Sequence, residues 1–224
     1  KPYEFTVHIK ASGDTRMGII DDIKMELRKC KALKVRYEAP ERIIDRRLPP
    51  APDQSEDDQE AKFIAPEDWA VDVSRRNLIT FRINSADKVL MSTDRSIRVN
   101  EHYICDIDDF DVKRLKEMIA NPERKETLPE TEMKDITMPD GSVRQFEVSK
   151  AMVSYGIDRG TSYTAYTKGM EMIMTAYKEL REDFSKEVFG KPLAELTETE
   201  MQTVYLAIPL IVSETTPKAV PQKR

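Results

Sequence analysis

Three short segments carry side chains that could bind an ion. Residues 106–111 form an acidic run, and Glu117 follows at the spacing of the last ligand of a calcium loop. Position five of such a loop is Phe110 here and position six is Asp111, where calcium binding needs an oxygen ligand and then glycine. Acidic side chains are also favoured by the dipole at a helix N-terminus. The run therefore predicts the start of a helix rather than a calcium site.

The other two segments give weaker signals. His102, Cys105 and Asp106 have a loose metal-ligand spacing. Zinc sites usually take several such ligands, and the other histidine, His8, is far away in sequence. Residues 159–162 could bind an anion at a helix N-terminus, although helix capping explains the same residues. With no Gly-rich phosphate loop and no nucleophile elbow, we interpret the chain as a binding protein, not an enzyme, and expect no metal and no cofactor.

The composition narrows the functional class further. Thirty-six basic and forty-one acidic residues give a net charge of −5, which argues against nucleic-acid binding. No apolar run approaches the roughly 20 residues that span a bilayer. The sequence starts at Lys1 without a signal peptide, so we expect a soluble part of a longer product.

The two cysteines allow one disulfide at most. Cys30 continues the apolar stripe of a predicted helix, which predicts a buried free thiol. Pairing with Cys105 in an oxidising compartment stays open, because nothing in the sequence requires it.

Two segments of the chain repeat the same pattern. Residues 7–27 and 153–173 correspond at a constant offset of 146 residues. Each begins with a short apolar strand, continues through a polar turn that carries a threonine (Thr15 and Thr161), and ends in an amphipathic helix. The matching apolar helix positions are Met17, Ile20 and Leu27 in the first copy and Tyr163, Tyr166 and Ile173 in the second.

The first copy predicts a strand, a helix and a strand. The strand over residues 3–10 precedes a helix that Asp14 or Thr15 caps, and a second strand follows over residues 33–37. The expected buried helix positions are Met17, Ile20, Ile23, Leu27 and Cys30. A unit of under 40 residues buries too little apolar surface to stand alone, so 1–40 must pack on the rest of the chain.

A linker and a fuller domain follow. Residues 41–76 are rich in proline and then in acidic residues, which is typical of a linker, and Trp69 lies near its end. The predicted elements of the domain over 77–215 are a hairpin (78–83 and 89–91), a helix (108–121), a second hairpin (135–138 and 142–148), a strand (151–158), a long helix from 162 to about 188 and a last helix that Thr197 and Glu200 begin as a capping box. Residues 211–224 are expected to be mostly loop, disordered from 216. The fold class is therefore α+β, with a long C-terminal helical extension.

Several stretches of this sequence resemble one family. They are residues 11–27 (ASGDTRMGIIDDIKMEL), residues 156–166 (GIDRGTSYTAY), residues 46–50 (RRLPP), residues 177–192 (YKELREDFSKEVFGKP) and residues 208–214 (IPLIVSE). Together they are similar to the periplasmic domain of ExbD/TolR proteins, in its long variant. The family's membrane helix with its proton-carrying aspartate has no counterpart here, and residues 1–40 resemble only the closing third of a further copy.

The resemblance implies a small sheet with helices on one face and a role in energy transduction. Its implied partners are an ExbB/TolQ-type motor protein and a TonB/TolA-type protein, with the chain in the periplasm and attached to the bacterial inner membrane only through a segment absent here. The action would be by protein–protein contact in a homodimer or pseudo-dimer. The alternative is a free-standing envelope or peptidoglycan-binding module.

The same resemblance suggests interface positions. Family domains are expected to dimerise through terminal strands, and strand edges are templates for pairing. We therefore predict that 1–40 joins or flanks the sheet of 77–190, with the strand over 33–37 as the place where the two parts meet. The candidate interface residues are Leu27, Leu33, Val35, Tyr37, Asp158, Ile173 and Tyr177.

Overall fold

The computed structural model describes residues 6–39, 42–47, 75–93 and 105–215. His102, Trp69, most of the expected linker and the tail from 216 lie outside these ranges. The α-helices are α1 (Met17–Lys29), α2 (Val112–Ala120), α3 (Tyr163–Phe189) and α4 (Glu198–Ala207), and short 3-10 helices cover Arg75–Asn77, Ile107–Asp109 and Leu193–Glu195.

The strands form three sheets. They are β1 (Val7–Lys10), β2 (Lys34–Ala39), β3 (Arg42–Arg47), β4 (Leu78–Ile83), β5 (Lys88–Ser92), β6 (Cys105–Asp106), β7 (Thr131–Thr137), β8 (Val143–Ser149), β9 (Met152–Ile157) and β10 (Val212–Glu214). The sheet orders are β1-β2-β3, β10-β9-β4-β5-β6 and β7-β8. The expected α+β class is confirmed.

The first copy of the repeat is a parallel strand-helix-strand unit. β1 pairs with β2 in parallel, which requires α1 to cross over between them, and β3 adds to β2 in the antiparallel sense. Ile9, Val35 and Tyr37 are buried in this unit. β3 occupies part of the segment expected to be a linker, where Ile43 and Ile44 supply the β-branched residues that favour a strand.

The second copy lies in the larger sheet. β9 pairs in parallel with β4 on one side and with β10 on the other. α3 begins one residue after the predicted start at 162, because Ser162 is its N-cap and accepts a bond from Ala165 N. The helix is followed by Gly190 as its C-cap, whose φ of 67° suits glycine. Tyr155, Tyr166 and Ile173 are buried where α3 packs on the sheet.

The far half of α3 is covered by β8 and α4 of the same chain. Phe184 packs edge-on against Phe146 of β8, with ring centroids 5.1 Å apart. Arg181 lies 4.5 Å from the Tyr205 ring centroid on α4. The predicted capping box begins α4, because Thr197 accepts a bond from Glu200 N while the Glu200 carboxylate accepts from Thr197 N. The β7-β8 hairpin and α4 therefore cover this end of α3.

Several predicted boundaries were wrong. α2 starts at Val112 rather than at residue 108, because Phe110 is extended and turns its ring onto Phe81, 5.2 Å away. β7 begins at Thr131, four residues before the predicted start of the second hairpin at 135. β10 lies in the expected C-terminal loop, where it pairs with the edge of β9.

The predicted cap and buried face of α1 were also partly wrong. Neither Asp14 nor Thr15 caps the helix: its N-cap is Arg16, without a side-chain cap bond. Ile23 is 41% exposed, and Cys30 is exposed rather than buried. Both cysteines are free thiols. The position that takes the place of Ile23 on the buried face is Lys24, only 6% exposed.

Candidate functional site

The turn before α1 and the turn before α3 are hydrogen-bonded to each other. Met17 N donates to Thr161 O over 2.9 Å. Tyr163 N donates to Thr15 O over 2.8 Å. Each bond becomes the other when its residues are replaced by their counterparts 146 positions away. The bonds therefore form one pair related by a local twofold.

A second pair of bonds follows the same exchange. Gly18 N donates to Arg159 O over 2.8 Å. Its counterpart, Thr164 N, donates to Gly13 O over 3.0 Å. An isolated antiparallel bridge between Arg16 and Ser162 lies between the two bonds of the first pair. This reciprocal pattern is that of an isologous dimer interface, here built within a single chain.

The two turns are also alike internally. Thr15 N donates to Ser12 O over 3.0 Å, and Thr161 N donates to Asp158 O over 3.1 Å. Asp158 thus lies at the start of its turn, opposite Ser12 in the repeat, and its carboxylate accepts from Arg82 at 2.6 Å. We call residues 12–18 and 158–164 the seam.

The seam explains why α1 needs no side-chain cap. Helices leave their first backbone N–H groups without intrahelical partners. In α1, Met17 N and Gly18 N find acceptors in the opposite turn. In α3, Tyr163 N and Thr164 N do the same. These amides are therefore occupied by protein carbonyls, which argues against the anion site considered for residues 159–162.

Arginine side chains reinforce the seam without following the repeat. Arg16 Nη1 donates to Gly160 O over 2.7 Å. Arg159 Nη2 donates to Gly18 O over 3.1 Å and to both carboxylate oxygens of Asp22, the nearer at 2.8 Å. The Arg159 side chain is 38% exposed and the Asp22 side chain 67%, so solvent screens this pair and it serves orientation more than stability.

Tyr163 ties the second copy to the sheet of the first. Its side chain is fully buried, and its hydroxyl lies 3.2 Å from Ile9 O and 3.1 Å from Glu38 O. The phenol shares its one proton between these two carbonyls of β1 and β2. Burial raises the pKa of Tyr163 to about 12. The start of α3 therefore packs against the sheet that carries β1 and β2.

A buried cation lies next to this contact. Lys24 Nζ is 5.2 Å from the Tyr37 ring centroid and 5.1 Å from the Tyr166 ring centroid. It donates to Glu214 Oε1 over 2.8 Å, and the Tyr166 hydroxyl lies 3.2 Å from the same oxygen. Burial acts to lower the pKa of Lys24, but the Glu214 carboxylate and the Tyr37 phenol act the other way, and the net shift is upward. We call these four residues the Lys24 site.

The parallel ladders show that the repeat extends to a third element. Val7 pairs with Val35 across β1 and β2, and its counterpart Val153 pairs with Val212 across β9 and β10. β10 is therefore the counterpart of β2, reached by a longer connection. Two residues further on, Tyr37 corresponds to Glu214, so both repeat units contribute the same position to the Lys24 site.

The repeat also identifies two strand edges. β9 and β1 are equivalent strands of the repeat. β9 pairs with β4 along the edge at which β1 has no partner among the described residues. β2 carries β3 on the side where β10 has none within the same ranges. Each copy thus has a neighbouring strand at a position that is open in the other.

The candidate interface residues do not form one surface. Leu33, Val35 and Tyr37 are buried in the first unit. β2 pairs with β1 and β3 rather than with a strand of the second copy, so the expected strand contact at 33–37 was wrong. Ile173 is fully buried on α3 and Tyr177 is 2% exposed.

Leu27 is partly buried against the same core. Asp158 alone of the candidates lies in the seam. The two copies are in contact as expected, but through their turns, Tyr163 and the Lys24 site rather than through paired strands.

Sequence reasoning missed Lys24, Glu214 and the role of Tyr163. The signal for Lys24 was its spacing, since it follows Met17 and Ile20 at the positions of a buried helix face. Its charge led us to place Ile23 there instead. Glu214 gave no local signal, because its partner lies in the other copy.

The described residues contain neither a cluster of metal-binding side chains nor a membrane-spanning helix. Among them no group of three or more His, Cys, Asp or Glu side chains could hold a metal ion, and no helix is long and apolar enough to cross a membrane. No family model, curated protein or solved structure matches the chain.

Proposed function

We propose that the chain is a periplasmic component of a proton-motive-force-driven transport complex of the ExbB-ExbD-TonB or Tol type, and that it acts by protein–protein contact. The observation that carries the proposal is the reciprocal hydrogen bonding of the seam. It supports a design in which two copies of one strand-turn-helix element work as a pair, as the resemblance to ExbD/TolR proteins implies.

The strand edges support a contact role as well. Within the described residues, β1 and β10 each present an edge without a neighbour at a position that is filled in the other copy. An exposed strand edge offers backbone groups that an extended segment of a partner can pair with. A TonB/TolA-type protein is the proposed partner at these edges, and an ExbB/TolQ-type motor protein is the proposed source of movement.

The test is capture by defined partners. The purified chain would be immobilised and offered the periplasmic part of a TonB-type protein, that of a TolA-type protein and isolated sacculi. A Gly13→Ala variant, which disturbs the seam, and a Met133→Thr variant, which changes an exposed residue of β7, provide the comparison.

Saturable capture of a TonB- or TolA-type protein by the wild type and the Met133 variant, weakened by the Gly13 variant, supports the proposal. Capture of sacculi alone would favour a free-standing peptidoglycan-binding module instead. Failure of the chain, joined to a family membrane anchor, to restore siderophore uptake or envelope integrity in deletion strains would refute the motor role.

A further inference from the structure

β10 is a short strand at the edge of the larger sheet. Its three residues pair with β9, and the flanking bonds run from Val153 N to Ile211 O (2.9 Å) and from Thr215 N to Tyr155 O (2.8 Å). Ser213 is exposed. So few backbone bonds at an edge place this strand at the low-stability end of the fold.

The part of the Lys24 site that receives the carboxylate is built without β10. Lys24 comes from α1, Tyr37 from β2 and Tyr166 from α3, and the two rings meet edge-on with centroids 5.5 Å apart. The Lys24 side chain is 8% exposed, whereas the Glu214 side chain is 24% exposed. The buried Lys24 cation therefore lies among residues of α1, β2 and α3, and the edge strand β10 supplies its anion, Glu214.

The charge of this site restricts what can lie beside β9. Loss of the carboxylate would leave Lys24 as a buried cation without its anion, which is strongly unfavourable. Val212 and Glu214 project to the same face of the strand, since side chains alternate. Val212 contacts the core while Glu214 meets Lys24. A strand bound at this edge therefore needs an aliphatic side chain at the position of Val212 and a carboxylate at the position of Glu214.

We propose that the β9 edge and the Lys24 site together form a receptor for an extended peptide strand that carries a carboxylate, and that β10 is the occupant that the chain supplies itself. The external occupant is a protein segment with an aliphatic residue followed two positions later by Asp or Glu. Charge complementarity to Lys24 selects this class, and a basic residue at the same position would face a buried cation. This inference goes beyond the proposed function, because it stands on the Lys24 site whether or not the chain serves a membrane motor.

The test begins by disabling the resident strand. In a Ser213→Pro and Glu214→Gln double variant of the full chain, proline removes a backbone donor from the strand and glutamine removes the charge. A labelled peptide with the sequence of residues 210–215 (LIVSET) and a matched peptide with glutamine in place of its glutamate are then titrated by fluorescence anisotropy. We expect the glutamate peptide to bind at least about tenfold more tightly, as for a hydrogen bond to a charged group.

One further variant makes the result decisive. Lys24→Met in the same background should remove the preference for the glutamate peptide. Equal binding of the two peptides, or no saturable binding of either by a variant that melts cooperatively, would overturn the proposal.

If the double variant does not fold, a second measurement tests the proposal with single variants of the otherwise intact chain. In hydrogen exchange, amides 212–215 should exchange faster in Lys24→Met than in wild type. They should be unchanged in Lys29→Met, whose exposed pair with Glu26 lies on the same helix. Equal exchange in all three proteins would also overturn the proposal.

Discussion

The seam can be tested by adding a single methyl group. A Cβ at Gly13 would lie 2.3 Å from Thr164 Oγ1, far inside van der Waals contact. Gly13 is not among the glycines with positive φ, so alanine is compatible with its backbone and the cost comes from the contact between the two copies. Thr164 is exposed, and its Oγ1 is attached directly to Cβ, so it can leave the contact only by a change of χ1 rotamer.

The magnitude follows from two opposing effects. Overpacking by one methyl group costs about 1–3 kcal/mol in a well-packed site. Replacing glycine by alanine returns about 0.4–1 kcal/mol, because the unfolded chain loses conformational freedom. Gly13→Ala should therefore lower the unfolding free energy by roughly 0–2.6 kcal/mol. Each kcal/mol corresponds to about 2–4 °C in Tm for a chain of this size.

A second substitution distinguishes the contact from a general loss of stability. Thr164→Ala removes the clashing oxygen, and this exposed change alone should alter stability by at most about 0.5 kcal/mol. In the Thr164→Ala background, Gly13→Ala should become neutral or stabilising. Thermal melts of the four proteins by circular dichroism give the coupling, expected at about 1–3 kcal/mol. Additive effects, or a loss that persists in the double variant, would refute the arrangement of the seam.

Further predictions concern the core and the buried polar groups. Glu214→Gln should destabilise the chain by about 1–3 kcal/mol, because it weakens the partner of a buried cation, and Lys24→Met should suppress most of that loss in the double variant. Ile173→Ala should cost about 2–5 kcal/mol in chemical denaturation, and Leu27→Ala clearly less, since Leu27 is only partly buried; equal losses would show a misplaced α1. The pKa of Tyr163 is raised to about 12, so its contribution is intact below pH 10 and is lost as pH rises from about 10 to 12. Tyr163→Phe should therefore flatten the fall of Tm over that range, and an unchanged slope would argue against a buried phenol.

The elements that the sequence predicted well are those whose signals are local. The hairpin of β4 and β5, the long helix and the capping box at Thr197 and Glu200 each depend on residues a few positions apart. Gly190 stops α3 for a reason that can be read at one residue, its positive φ. Such features do not depend on where the rest of the chain lies.

The features that the sequence did not reveal depend on contacts between the two copies. Asp14 and Thr15 have the chemistry of helix caps, yet α1 takes its acceptors from the carbonyls of Arg159 and Thr161. Every residue has a backbone carbonyl, so no residue type in the sequence indicates that these carbonyls accept bonds from α1. The repeat itself was the one available signal, since equivalent turns can satisfy each other reciprocally.

The contact between the two copies changes which residues of α1 are buried, as Lys24 shows. In an isolated amphipathic helix, a lysine between apolar positions would turn its head to water and Ile23 would face the core. Here the core of one copy meets the edge strand of the other, and that strand brings the carboxylate of Glu214. The charge on α1 becomes tolerable only because the two copies are joined. The Lys24 site therefore links the contact between the copies to the pairing of β10, so a change that separates the copies should also loosen that strand.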